Sequence, residues 1–172
     1  VKDSEEWLKR EYNGIRTGRA TPTILDGLKV EVYGSQLPIN QVANISIEDA
    51  RMLRISPWDT SVTKDIEKAI LVSDLGLSVT VDDKGLRVVF PDLTSDRRQA
   101  LVKIAKQKLE ETKVTLRGER EKVMKELDKQ EKDGGLSKDE NLRLKKDVQK
   151  LSDDANKAYE DINAKKEKEI SE

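Results

Sequence analysis

All four prolines of the 172-residue chain lie between Pro22 and Pro91, and the 81 residues that follow contain none. Because proline interrupts helices, this distribution allows long unbroken helices only in the second half of the chain. There, apolar residues recur at steps of three, four or seven, the spacing of a helix with one buried face. The first such run is Leu101, Ala105, Leu109, Thr112, Leu116, Val123 and Leu127. The pattern predicts a helix that is capped by Thr94 or Ser95 and ends at Asp133-Gly134-Gly135.

A second long helix follows the two glycines. Ser137-Lys138-Asp139-Glu140 has the spacing of a capping box. The stripe behind it is Leu144, Val148, Leu151, Ala155, Ala158 and Ile162. Two helices joined by a tight turn predict an antiparallel hairpin, and their stripes are wider than one helix seam can cover. Residues 1–17 are predicted to supply a third helix, with Trp7, Leu8, Tyr12 and Ile15 on one face.

Residues 18–93 follow a different pattern, in which apolar and polar residues alternate as in half-buried strands. The strand from Leu28 to Val32 is predicted to end at Gly34, and Asp82-Asp83-Lys84-Gly85 is typical of a hairpin turn. The further strand candidates are Val42–Ile47, Met52–Ser56, Leu77–Val81 and Leu86–Phe90, with one short helix at Thr63–Val72. This segment is predicted to form a small domain of mixed helix and sheet.

The order of these segments predicts an α+β protein with two domains. Residues 1–17 and 94–172 would form a long three-helix bundle, and residues 18–93 a small β/α/β domain inserted into it. Because the chain would cross between the domains twice, relative motion should occur at a two-stranded hinge. The predicted hinge residues are Thr17, Gly18, Thr21, Pro22, Pro91 and Asp92.

The chain contains no His and no Cys. This excludes thiol catalysis, Ser-His and Cys-His pairs, disulfides and nearly all zinc or redox-metal sites. A site made of carboxylates alone stays open, although 34 acidic residues make chance pairs common. No apolar run reaches the roughly 18 residues that a membrane span needs. We expect no enzymatic activity, no metal or cofactor and no membrane association.

Positive charge is concentrated on the first of the two long helices. Residues 94–132 contain 12 basic and 8 acidic residues, although the whole chain has a net charge of -1. Arg117 and Arg120 share a helix face and are flanked by Lys113 and Lys122. Such a stripe either lines up on nucleic-acid phosphates or is a solvated face with local ion pairs. Arg120 also falls on the apolar stripe, so its side chain either extends outward from a packed stem or is held rigid as a contact residue.

A second pair of arginines flanks the end of the first predicted helix. Arg16 and Arg19 lie on either side of Thr17-Gly18. Cations near a helix C-terminus are stabilised by the helix dipole, so this position needs no further function. Contact with RNA is the alternative interpretation.

Several blocks of residues, spread over nearly the whole chain, form a recognisable series. The first is Ile15-Arg16-Thr17-Gly18-Arg19-Ala20-Thr21-Pro22, followed by Leu25-Asp26-Gly27. The later blocks are Gln41–Ser46, Glu48–Arg51, Trp58–Asp59, Glu67–Ile70, Ser73–Leu77, Leu93–Thr94 with Arg97–Arg98, and Asp147–Leu151. In this order they closely resemble the bacterial-type ribosome recycling factor family.

The resemblance implies an L-shaped protein with a long three-helix bundle and a β/α/β domain inserted at a hinge. It implies binding to a 70S-type ribosome after termination, mainly against large-subunit rRNA. Together with the GTPase elongation factor G and GTP, such a factor splits the ribosome into subunits and releases mRNA and tRNA, but hydrolyses nothing itself. The implied location is cytoplasmic, or an organellar matrix or stroma if the source is eukaryotic, and the implied state is a monomer.

Site residues follow from the resemblance position by position. The family's Arg-x-x-Arg on the second bundle helix matches Arg117 and Arg120, and the resemblance makes Arg120 the strongest candidate for an essential rRNA contact. The Arg-Thr-Gly-Arg block maps onto Arg16–Arg19, close to rRNA at the hinge. The full set of implied ribosome-binding residues is Arg117, Arg120, Lys113, Arg16, Arg19, Arg97, Arg98 and Lys106.

Three features depart from the family pattern. Glu121 follows Arg120 where many members have another basic residue, and Glu119 precedes it, which should weaken the local positive field. Pro91-Asp92 replaces two consecutive prolines, so the hinge loses one φ restraint. The first helix is also shorter. The apolar groove that a short first helix leaves open favours an alternative function, a helical adaptor or chaperone that binds protein partners through the bundle groove.

Overall fold

The computed structural model describes all 172 residues, Val1–Glu172, as an α+β chain of two compact units. Unit 1 consists of Val1–Tyr12 and Val102–Lys168, and unit 2 consists of Asn13–Leu101 and Glu169–Glu172. The predicted α+β fold class is confirmed. None of the helices combines the length and the apolar character that a membrane crossing needs.

The chain forms four α-helices and six strands in an order close to the predicted one. The helices are α1 (Lys2–Asn13), α2 (Thr63–Val72), α3 (Ser95–Lys132) and α4 (Lys138–Ser171). The strands are β1 (Lys29–Val32), β2 (Ser35–Pro38), β3 (Ala43–Asp49), β4 (Met52–Pro57), β5 (Ser78–Asp82) and β6 (Gly85–Val89).

Side-chain caps define where the long helices begin. Thr94 Oγ1 accepts a hydrogen bond from the backbone N–H of Arg97 at 3.1 Å, and Ser137 Oγ accepts one from Glu140 at the same distance. Both caps were predicted from sequence, as was the end of α3 at the glycine pair. Gly134 has a φ of 85°, a conformation that glycine adopts at little cost.

The prediction of a first helix over residues 1–17 is wrong at its C-terminal end. The helix stops at Asn13, and residues 14–17 are irregular. Asn13 and Gly14 are both poor helix formers, so the helix ends where two unfavourable residues follow each other. Ile15, which was placed on the apolar face of the helix, is buried outside it and belongs to unit 2.

The predicted apolar stripe of α4 is displaced from the observed one. Leu151 was assigned to the buried face but is 62% exposed, whereas the next residue, Ser152, is buried. Tyr159 and Asn163 are also buried, together with the predicted Ala155. The stripe of α3 is confirmed from Leu101 to Leu116, but Val123 is 44% exposed. The buried face of α4 is therefore more polar than its hydrophobic periodicity indicates.

Unit 2 contains two antiparallel sheets. Strands β1 and β2 form a hairpin, while the other four form a sheet in the order β3-β4-β6-β5. Tyr33 and Gly34 form the first hairpin turn with φ values of 51° and 80°, as expected when both central residues of a two-residue turn have positive φ. The first strand was predicted to end at Gly34, and β2 was not predicted. Helix α2 packs against β1 and β5, with Ile66 and Ile70 in the core.

The last hairpin, β5–β6, depends on Gly85. Its φ is 135°, and a Cβ atom at this position would lie 2.2 Å from the backbone oxygen of Ile55 on β4. Only glycine allows β4 and β6 to approach so closely here. The Asp82–Gly85 turn predicted from the sequence is confirmed, with Asp82 paired to Gly85.

Candidate nucleic-acid interface

Three of the predicted basic residues line one cavity between α3 and α4 in unit 1. Lys113, Arg117 and Arg120 lie on successive turns of α3, at steps of four and three residues, and so share one face. The cavity has a volume of about 260 Å³ and is closed from the other side by α4. The α4 residues that line it are Ser152, Asn156 and Glu160.

Each cation of the cavity has a different environment. Lys113 Nζ pairs with Glu160 Oε1 at 2.8 Å, and the Lys113 side chain is 23% exposed. Arg120 Nη1 donates to Gln149 Oε1 at 3.3 Å. The Arg117 side chain is exposed. Three positive charges thus face one carboxylate, and the excess positive charge attracts an anion.

The two interpretations of Arg120 are resolved in part by its surroundings. The residue is half-buried, so its stem packs, yet its guanidinium is not enclosed by an ion pair. Gln149 is itself held by a hydrogen bond from its Nε2 to Asp153 Oδ1 at 2.9 Å. The arginine head group is therefore oriented by a neutral partner on the facing helix and keeps free donors for an external acceptor.

The α4 side of the cavity was not predicted from the sequence. Ser152, Asn156 and Glu160 are polar residues at successive steps of four, which places them on one face of α4. This spacing is visible in the sequence, beside the predicted apolar stripe. The spacing indicates a function only because Lys113, Arg117 and Arg120 of α3 lie opposite these residues. That arrangement depends on the tertiary structure.

Arg16 is placed differently from the other arginines. It is 5% exposed, and it donates to the backbone oxygens of Gly76 and Pro91 while its guanidinium lies 5.6 Å from the centre of the Phe90 ring. Burial, with the positive charges of Arg97 and Arg51, lowers the pKa of Arg16 below its usual value. In this conformation the side chain is a structural group of unit 2. The contact of Arg16 with RNA stays a prediction, and the burial of the side chain does not favour it.

The remaining predicted basic residues lie outside the cavity. Arg19 and Arg97 are exposed residues of unit 2, and Arg98, also in unit 2, is half-buried with an Nε that has no acceptor. Lys106 belongs to unit 1 and approaches Glu167 at 3.7 Å. Their part in binding stays a prediction.

The two flanking glutamates have different positions. Glu119 lines the groove between α1 and α3, together with Trp7 and Thr112, and does not line the basic cavity. Glu121 is exposed and also does not line the cavity. The only carboxylate that lines the cavity is Glu160, which was not among the predicted site residues.

The six predicted hinge residues all lie within unit 2. The N–H of Ala20 donates to the oxygen of Ala50 at 2.8 Å, and the N–H of Phe90 donates to the oxygen of Arg51 at 2.8 Å. Arg51 also forms an ion pair with Asp92. The turn between β3 and β4 therefore binds both segments that were assigned to the hinge, and the hinge itself stays a prediction.

The comparisons with known proteins identify the family. A family model described as ribosome recycling factor matches residues 8–170, which include both sides of the basic cavity. The chain belongs to the ribosome recycling factor family.

No group of three or more His, Cys, Asp or Glu residues is placed to hold a metal ion.

Curated members of the ribosome recycling factor family match the chain over nearly its full length. The ribosome-recycling factor of Enterococcus faecalis is 46% identical over 169 residues, which are 98% of this chain and 91% of the relative. That of Symbiobacterium thermophilum is 44% identical over 179 residues, covering 100% of this chain and 97% of the relative.

Solved structures of ribosome recycling factors have the same fold. A solution structure matches with a TM-score of 0.77 at 36% identity, covering 99% of this chain and 90% of the other. A second match is to models for the T. thermophilus ribosome recycling factor and the E. coli elongation factor G bound to the E. coli post-termination complex. Its TM-score is 0.68 at 40% identity, with 98% of this chain and 91% of the other covered.

Proposed function

We propose that this member of the ribosome recycling factor family binds the post-termination 70S-type ribosome and, with elongation factor G and GTP, splits it into subunits. The mRNA and tRNA are thereby released for new initiation. The chain supplies binding and shape, and the GTP hydrolysis belongs to elongation factor G, so the protein is a non-enzymatic translation factor.

The observation that carries the proposal is the row of Lys113, Arg117 and Arg120 on the long helix α3, along one cavity. Phosphates of rRNA are the acceptors that such a row fits, because guanidinium groups bind phosphate oxygens with paired donors. Arg19, Arg97, Arg98 and Lys106 are proposed as additional contacts. Arg16 is proposed to act indirectly, by holding residues 76 and 91 in place.

Relatives from bacteria favour a cytoplasmic site of action, or an organellar matrix or stroma if the source is eukaryotic. The proposed active form is a monomer. The hinge is proposed at the two chain segments that contain Thr17–Pro22 and Pro91–Asp92. The adaptor or chaperone alternative is not favoured, because relatives that match the whole chain are named as ribosome recycling factors.

Arginine variants test the proposal directly. Arg117→Ala and Arg120→Ala should each weaken cosedimentation with vacant 70S ribosomes by about tenfold, the effect of losing one strong charged contact of roughly 1.4 kcal/mol. Each variant should also lower the slope of log affinity against log salt by roughly one. Lys122→Ala is the matched control, since Lys122 is exposed on α3 and does not line the cavity.

Subunit splitting is followed by light scattering with and without elongation factor G and GTP. The wild-type protein should split vacant ribosomes only when the GTPase and GTP are both present. Failure of the wild type to bind or split them contradicts the proposed function. A large loss of thermal stability in Arg120→Ala would instead assign that arginine to packing.

A further inference from the structure

The end of α1 exposes the only asparagine of the chain that is followed by glycine. Asn13 is the last residue of the helix, and Gly14 lies outside it. Both residues are exposed, whereas Tyr12 and Ile15 on either side are buried. The Asn-Gly pair is therefore a solvent-facing step between two residues that are held by packing.

An asparagine followed by glycine is prone to attack by its own backbone. The amide nitrogen of the next residue must approach the side-chain carbonyl carbon, Cγ, and glycine has no side chain to obstruct this approach. The five-membered ring that results does not fit the helical conformation, so Asn13 must first leave it. Helix ends fray at little cost in free energy, so the position of Asn13 at the end of α1 allows this.

We propose that Asn13 is a site of spontaneous deamidation. The Gly14 nitrogen gives up its proton to solvent and forms a bond with Asn13 Cγ, while the side-chain nitrogen takes up a proton and leaves as ammonia. Water then adds to one of the two carbonyl carbons of the succinimide, and the bond from that carbon to the ring nitrogen breaks. Opening at Cγ gives aspartate, and opening at the main-chain carbonyl gives isoaspartate.

The products differ from asparagine in charge and in backbone length. Each adds one carboxylate to a chain with a net charge of -1, at the C-terminal end of α1, where the helix dipole disfavours negative charge. Isoaspartate also inserts a methylene group into the main chain between the buried residues Tyr12 and Ile15. The change falls where the chain passes from unit 1, whose first segment ends at Tyr12, into unit 2. The inference is independent of the proposed function.

The remaining asparagines provide a control within the same chain. All five are followed by residues with side chains, which obstruct the attacking nitrogen. Asn40 is exposed like Asn13 but precedes Gln41, so a comparison of the two isolates the effect of the following residue.

The test incubates the purified full chain at mildly alkaline pH and follows its peptides by liquid chromatography and mass spectrometry. The peptide that contains Asn13 should gain about 1 Da and separate into an aspartate and an isoaspartate form. The rate should rise with pH, because the attacking nitrogen must lose its proton. The peptide that contains Asn40 should keep its mass over the same period.

Two variants separate this reaction from other sources of the mass change. Gly14→Ala should slow it by about tenfold, because a methyl group then obstructs the nitrogen. Asn13→Gln should abolish the mass gain in this peptide, since the longer side chain would have to close a six-membered ring. A sample of the wild type unfolded in urea shows the rate without any protection by the fold.

Three results overturn the inference. The first is a mass gain in urea but none in the folded protein, which would show that the end of α1 protects Asn13. The second is an equal rate at Asn13 and Asn40 in the folded protein. The third is a mass gain in the wild-type peptide that persists unchanged in both Gly14→Ala and Asn13→Gln.

Discussion

The Lys113 side chain forms an ion pair with Glu160 that can open to let the ammonium group bind another anion. Its ammonium group lies 2.8 Å from Glu160 Oε1, but the Glu160 side chain is 60% exposed. Exposed ion pairs contribute little to stability because water screens them, so this pair opens at small cost. Under the proposed function, Glu160 is a counter-ion that an rRNA phosphate would displace.

Neutralising Glu160 should strengthen binding. Glu160→Gln removes the only carboxylate that lines the cavity, so its affinity for vacant 70S ribosomes should rise by about threefold. The free energy of unfolding should change by less than about 0.5 kcal/mol. Binding measured over a range of salt concentrations checks this prediction. Unchanged or weaker binding by Glu160→Gln would place the phosphate contact elsewhere.

Among single residues, the cavity arginines could be predicted but the role of Arg16 could not. Arg117 and Arg120 are three residues apart on a helix, so local spacing alone places them on one face. The partners of Arg16 are backbone oxygens 60 and 75 residues further along the chain. No local pattern reveals that a guanidinium is enclosed by such distant carbonyls.

At the level of elements, Gly118 lies inside α3 between the two cavity arginines. A Cβ atom added there would have no neighbour within 4 Å, and its φ is not positive. Neither a turn nor a close approach within the chain requires glycine at this position. Its effect is to weaken the helix, since glycine costs up to about 1 kcal/mol relative to alanine in a helix interior.

Gly118→Ala should therefore stabilise the helical unit by about 0.5–1 kcal/mol without changing ribosome affinity. Chemical denaturation followed by circular dichroism measures the first effect and cosedimentation the second. Gly85→Ala is the control of opposite sign, because the added Cβ would lie 2.2 Å from Ile55 O. Normal stability gain with lost affinity in Gly118→Ala would show that RNA approaches the helix backbone at this glycine.

Elements with a strong local period were predicted well, and the weaker ones were not. Helix α2 has the predicted bounds Thr63–Val72. Strand β2 was missed because Ser35–Pro38 has only four residues, two of them polar, and ends in proline, which gives no alternation to detect. Its strand conformation depends on pairing with β1, which a single segment cannot show.

At the scale of the whole molecule, unit 1 is assembled from the two ends of the chain, and Tyr12 connects them. Its hydroxyl lies 2.8 Å from the oxygen of Ala105 on α3 and 2.7 Å from Asn163 Oδ1 on α4, and these two acceptors share its one proton. Burial, with a smaller effect of Glu167, raises the pKa of Tyr12 to about 12. One side chain thus links the first helix to both long helices.

This linkage makes unit 1 sensitive to alkali. The pKa of Tyr12 is higher in the folded state than the ordinary value of 10, so the folded protein binds this proton more tightly than the unfolded chain. The stabilisation is complete below pH 10 and is lost as the pH rises from about 10 to about 12. Denaturant titrations at several pH values should show this loss.

Tyr12→Phe should reduce that pH dependence. It should also lower the free energy of unfolding at pH 7 by about 1–3 kcal/mol, because Asn163 Oδ1 loses its buried donor. Tyr33→Phe is the control, since Tyr33 is an exposed tyrosine of unit 2. An unchanged alkaline profile in Tyr12→Phe would assign the pH dependence to another group.

The sequence by itself determined the helical and strand periods, the glycine turns and the excess of positive charge on α3, because each depends on residues within a few positions of one another. The tertiary structure alone decided that Ser152, Asn156 and Glu160 face the basic row, that Arg16 is enclosed, and that Tyr12 joins three helices. These facts depend on contacts between segments far apart in the chain. Periodicity shows which face of an element is buried, but packing decides what that face meets.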